Sequence, residues 1–113
     1  MAQAREHSTV MKHIVSKDFT AARAWDSLPI ANLAGTTVKL HWTNEPYRWH
    51  VNDGEEVFAV MDGAVQMHYR QGGQEHSVLL QTGDIFFADI GTEHVAHPVG
   101  EARILVIEKE GTV

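Results

Sequence analysis

The sequence predicts an all-β domain, and three observations carry that prediction. From Thr36 onward, short segments of alternating apolar and polar residues recur at roughly ten-residue spacing. Turn formers separate them, among them Asn52-Asp53-Gly54, Asp62-Gly63, Gly72-Gly73 and Thr82-Gly83-Asp84. No helical period lies between them, which leaves an antiparallel sandwich or barrel.

The elements follow in order. Residues 1–16 have no clear period and read as a loose arm with a short edge strand at 12–15. Met11 competes with Met1 as the natural start, and His7 and His13 read as solvated. Residues 18–28 read as a short helix. Asp18 can cap it, Phe19, Ala22 and Trp25 recur at three-residue steps, and Pro29 falls where it should stop. This helix is expected to pack on the main body as a lid or plug, with Trp25 in a packing role. Residues 1–35 are thus an arm and helix, and 36–113 the barrel.

Within the barrel, strands are expected at 36–42, 47–51, 55–61, 64–70, 75–81, 85–89, 93–96 and 103–108. In the first, Val38, Leu40 and Trp42 point one way and Lys39 and His41 the other. The apolar row is assigned to the core, so His41 is expected to be exposed. Asp62-Gly63 between two apolar runs is a strong two-residue hairpin signal.

Composition narrows the function. A chain of 113 residues is one domain with little room for a second. A formal charge of −6 provides no basic stripe for nucleic acid or an anionic membrane surface. There is no cysteine, which excludes disulfides, thiolate nucleophiles and thiolate metal sites. No apolar run reaches the ~20 residues of a membrane span, and no signal-like segment opens the chain, so a cytoplasmic address is expected. Eight histidines are many for this length, and imidazole is the commonest side-chain metal ligand.

The chemistry concentrates between Trp49 and Gly63. His50 and Asn52 lie two apart and share a strand face, as do Glu56, Phe58 and Val60 after the turn. If the two faces coincide, an imidazole, an amide and a carboxylate converge above an apolar column, as a metal site on a sheet requires. Glu55 is the competing carboxylate; strand alternation turns it to solvent. Further on, Gly83, Gly91 and His94 form a second cluster, with His94 opening a strand after a glycine turn.

Together the two clusters make the chain resemble the cupin superfamily, and in particular its small single-domain members. In the first motif His50 takes the first histidine position, and six residues separate Glu56 from Gly63. In the second, Gly83, Gly91 and His94 match in spacing, and residues 101–108 look like the closing strand. The resemblance covers about residues 38–108. It implies a jelly-roll β-barrel, here with a short N-terminal helix, and a divalent metal held by His50, Glu56 and His94. The departures are Asn52 in place of the usual second histidine, a missing glycine before His50, Asp89 in place of a proline and Pro98 in place of an asparagine. Of these only Asn52 removes an imidazole ligand.

Two histidines and a carboxylate are the donor set of the facial triad of non-haem iron sites, which leaves coordination positions open. Asn52 supplies a weak fourth ligand or a hydrogen bond to whatever the metal binds. Iron, manganese, nickel and zinc all remain open. Trp42, Tyr47, Arg48, Phe58, Met67 and Phe87 are the candidates to wall a pocket, with core packing as the competing account of the apolar ones and a surface salt bridge of Arg48. Two functions stand: a metal-dependent dioxygenase, isomerase or lyase acting on a small polar molecule, or a metal-free barrel that binds or senses a small, sugar-like ligand. The resemblance also implies a homodimer, with the N-terminal arm crossing to its partner.

Overall fold

The computed structural model describes residues 10–112; Met1 and His7 lie outside the described residues. Nine strands follow one 3₁₀ turn at Ser16–Asp18: β1 (Ser27–Leu33), β2 (Thr36–Thr43), β3 (His50–Val51), β4 (Glu56–Asp62), β5 (Ala64–Gln71), β6 (Gln74–Gln81), β7 (Ile85–Ala88), β8 (Glu93–Pro98) and β9 (Ala102–Lys109). They form a five-stranded sheet in the order β1-β2-β9-β4-β7 and a four-stranded sheet in the order β3-β8-β5-β6. All pairings are antiparallel, and the two sheets make the jelly-roll barrel.

Alternation builds the core. Along β4, Glu56, Phe58 and Val60 are buried while Val57, Ala59 and Met61 are less so. Phe58 and Val60 join Val65, Met67, Leu80, Ala96, Ala102, Ile104 and Val106 in one contiguous apolar cluster between the sheets. The hairpin expected at Asp62-Gly63 is not formed: Gly63, at φ +87°, turns the chain from β4 into β5, but the two strands lie in different sheets and do not pair, so the turn is a corner between the sheets.

Two expectations for the N-terminal third are corrected. The helix over 18–28 is reduced to the single turn at Ser16–Asp18, and the edge strand at 12–15 is absent. The chain instead bends and enters β1 at Ser27, placing Pro29 inside a strand rather than at a helix end. Helix propensity is a weak preference that tertiary hydrogen bonds override. Here Trp25 N–H donates to Trp42 O (2.8 Å) and Trp42 N–H to Asp26 O (3.1 Å). Trp25 sits at φ +68°, which no right-handed helix accommodates. Arg103, 7% exposed, donates to Phe19 O (2.8 Å) and Thr20 Oγ1 (3.0 Å) while pairing with Asp62 (3.0 Å). The three-step apolar row is therefore no helix face: Ala22 is exposed and Phe19 only half-buried.

The faces of β2 are also corrected. Lys39 lies opposite Val106 and His41 opposite Ile104, so both belong to the inner face. Leu40 (1% exposed) and Trp42 (7%) are buried on the other side, outside the contiguous core. That side carries the arm, through the bonds of Arg103, the partner of Trp42 in register. The alternation is as expected, but the inner row is polar and half-buried, and His41, expected to be exposed, is half-buried with it.

Candidate metal centre and cavity

His50 and His94 face each other across β3 and β8, their ring centroids 4.2 Å apart. Glu56, at the head of β4, reaches them from the opposite sheet. One donor atom from each of His50, Glu56 and His94 lies within 4.8 Å of the other two. Asn52 stands beside them, 1% exposed, on the turn that follows β3.

Hydrogen bonds orient the donors. His50 Nδ1–H donates to Arg48 O (3.2 Å), leaving Nε2 with its lone pair. Burial holds its pKa below the usual imidazole value, so the ring is neutral near pH 7. The Asn52 amide is fixed at both ends: Nδ2 donates to Ala88 O (3.2 Å), and Oδ1 faces His94 Nε2 at 2.7 Å. Its backbone is held by bonds with Thr92 O and Gly91 N. Glu56 Oε1 approaches His94 Nε2 at 3.2 Å without hydrogen-bond alignment, so this buried carboxylate oxygen has no partner among the described residues. His94 Nδ1 is likewise buried and unpartnered. Buried polar atoms are nearly always satisfied. Here the orphaned oxygen lies within reach of two imidazoles, one with a free nitrogen lone pair. The donor set thus fits a divalent cation.

The donors open onto a cavity of about 250 Å³ whose walls include Trp25, Lys39, His41, Tyr47, Phe58 and Glu108. Of the residues expected to wall a pocket, Tyr47 and Phe58 do so. Tyr47 is placed by its N–H bond to Ala96 O (3.1 Å) and stands edge-on to His50. Trp42 is buried on the far side of β2, Met67 is packed in the core, and Phe87 points outward at 55% exposure, opposite Val57 on the outer row of β4. Arg48 is exposed, its guanidinium over the Tyr47 ring. Glu55 is exposed, as alternation requires.

Sequence reasoning did not find Lys39, His41, Trp25 or Glu108 as cavity residues. The signal for Lys39 and His41 was the alternation of β2, which was assigned the opposite sign. Trp25 had no local signal. Its indole donates to Glu45 O (2.9 Å) and its ring packs edge-on to Tyr47, contacts made across some 20 residues of chain. His41 is fixed by Nδ1–H donation to Trp25 O (2.9 Å), and burial lowers its pKa, so it is neutral with Nε2 as an acceptor.

Glu108 stands opposite Glu56 in register, and its carboxyl is pushed up to about 7, first by burial and then by the neighbouring Glu56. The folded protein thus holds a proton that the unfolded chain releases. The resulting stability is present below about 4.5 and is lost as pH rises through about 7. In chelator-treated protein, Glu108→Gln is expected to flatten the fall in Tm across that window and to raise Tm at pH 8. Parallel Tm profiles for the two proteins would remove Glu108 as the source.

No family profile matches the chain. Among solved structures, it superimposes on a cupin-2 domain protein from Shewanella frigidimarina with a TM-score of 0.71 and 28% identity, over 80% of this chain and 85% of that one. The chain has the fold of a small cupin. A cupin superfamily protein from Desulfitobacterium hafniense has the same fold at 11% identity, with a TM-score of 0.73 over 91% and 94% of the two chains. A curated relative, 3-hydroxyanthranilate 3,4-dioxygenase of Bos taurus, is 30% identical over 61 residues, which is 54% of this cupin and 21% of the relative. The cupin thus spans about a fifth of that protein's length. No helix of the described residues is long and apolar enough to cross a membrane.

Proposed function

We propose that this cupin is a metal-dependent protein acting on a small polar molecule, with His50, Glu56 and His94 as ligands and Asn52 at the fourth position. The observation that carries this reading is the buried, unpartnered Glu56 Oε1 beside two imidazoles at the mouth of a cavity. Without a cation, that oxygen costs desolvation energy that nothing nearby returns. The small donor set leaves positions open for substrate or dioxygen, and the local likeness to a dioxygenase favours oxidative chemistry over isomerisation. When bound, the metal would supply Lewis acidity and, if it is iron or manganese, redox chemistry.

The chain's own residues do the rest. Arg48 O holds the His50 ring so that Nε2 faces the site. Ala88 O and the backbone around Asn52 hold the amide against His94. Trp25, Tyr47 and Phe58 give the cavity an apolar wall, and its volume of about 250 Å³ lies below the ~300–1,000 Å³ of drug-sized sites. The substrate is therefore small.

Elemental analysis of untagged protein tests the reading. About one equivalent of iron, manganese, nickel or zinc per chain is expected, with a rise in Tm on reloading after chelation. Protein that carries no metal and takes up none on titration with each ion would instead favour the metal-free binding barrel.

A further inference from the structure

We propose that Lys39 is the anion-recognition residue of the cavity and that the cupin's substrate is a small carboxylate. The inference rests on the metal-site reading above and extends it along the sheet that carries Glu56, two strands away on β2.

Lys39 is on the inner face of β2, partly buried, and lines the same cavity as the three donors. It has no ion pair within 4.0 Å among the described residues, although two carboxyl groups, Glu56 and Glu108, line that cavity with it. The interior of a small barrel is a costly place for an ammonium group unless it has an anionic partner. His41 and His50 are less available to that partner, because the Nδ1–H of His41 is committed to Trp25 O and that of His50 to Arg48 O. Among the described residues, Lys39 is the only lysine or arginine that lines the cavity.

The neighbouring carboxyls leave room for an added anion. Glu108 lines the cavity with Lys39 but makes no ion pair with it within 4.0 Å. Glu56 is the carboxylate assigned to the cation. With a divalent ion at the donors and Lys39 lining the same cavity, the site carries net positive charge, so one end of a carboxylate ligand is held by Lys39. The body of the ligand then lies against Trp25 and Tyr47, whose rings meet edge-on at 5.3 Å. A neutral sugar-like ligand would leave the ammonium unpaired.

Isothermal titration with benzoate and its neutral isostere benzamide tests the proposal, on metal-loaded and chelator-treated protein. Wild-type protein is expected to prefer benzoate. Lys39→Met should weaken benzoate by at least about tenfold, the scale of a hydrogen bond to a charged group, and leave benzamide unchanged. Lys39→Arg, which keeps the charge, should retain most of the benzoate affinity, and this rescue separates recognition from a folding defect. Equal benzoate affinity in wild type and Lys39→Met, or no preference for benzoate over benzamide in wild type, would overturn the proposal and leave Lys39 as the neutralising partner of Glu108. Metal content is measured on each sample. Absence of metal defeats the metal reading, while the contrast between wild type and Lys39→Met in the chelator-treated protein still decides the role of Lys39.

Discussion

Glu56→Ala and His94→Ala are each expected to abolish stoichiometric metal binding while leaving the barrel folded. Each removes one of only three strong donors, and losing even an outer-shell partner of a ligand costs about 10–100-fold in affinity, so loss of a ligand itself should exceed that. The fold should survive because neither residue belongs to the apolar cluster between the sheets. Elemental analysis and far-ultraviolet circular dichroism on the same samples make the check. Unchanged metal content in both variants would mean the ligands are elsewhere. Asn52→His belongs to the same series. The Asn52 oxygen already faces His94 Nε2 at 2.7 Å, so an imidazole placed there should tighten metal binding. It should also lower the Tm of the metal-free protein, because the larger ring replaces an amide that is 1% exposed and bonded to Ala88 O. Weaker binding in Asn52→His would show that position 52 does not address the metal.

Gly63→Ala is expected to destabilise the protein by on the order of 3 kcal/mol, lowering Tm by roughly 10–20 °C. Two costs combine. The residue sits at φ +87°, where an L side chain is strained. An added Cβ would also lie 2.5 Å from Glu101 O and 3.2 Å from Ala102 Cα, and both are backbone atoms that cannot swing aside. This turn hinges β4 onto β5 and so joins the sheet that carries Glu56 to the sheet that carries His94. Gly83→Ala is the control. Its φ is +97°, but open space surrounds it, so only the conformational strain of about 1–2 kcal/mol should appear. Thermal unfolding of the two variants side by side decides the matter. Equal losses would leave the close approach at Gly63 without energetic weight.

Much of this architecture is legible in the order of the amino acids, and particular residues show why. Asp62-Gly63 specifies a tight turn because few other pairs turn between apolar runs so closely, although the strands it joins enter different sheets instead of pairing. Glu56, Phe58 and Val60 specify one buried row because a strand's side-chain period is two. His50, Glu56 and His94 can be grouped because their spacing relative to the turn glycines matches the cupin pattern.

What the sequence by itself determined, then, was the all-β class, the turns, the parity of each strand and a set of three donors that can meet. Only the tertiary structure decided which row of β2 faces the cavity. Parity has no sign, and in the folded chain Leu40 and Trp42 are buried on the far side while Lys39 and His41 line the cavity. The tertiary structure also replaced a predicted helix with bends and turns that lead into β1, since Trp25 exchanges local helical bonds for distant ones to Trp42 O and Glu45 O. The cavity wall follows from the same contacts, because His41 is oriented by a carbonyl sixteen residues away. Local pattern encodes which side chains share a face, whereas the identity of that face depends on what the rest of the chain packs against it.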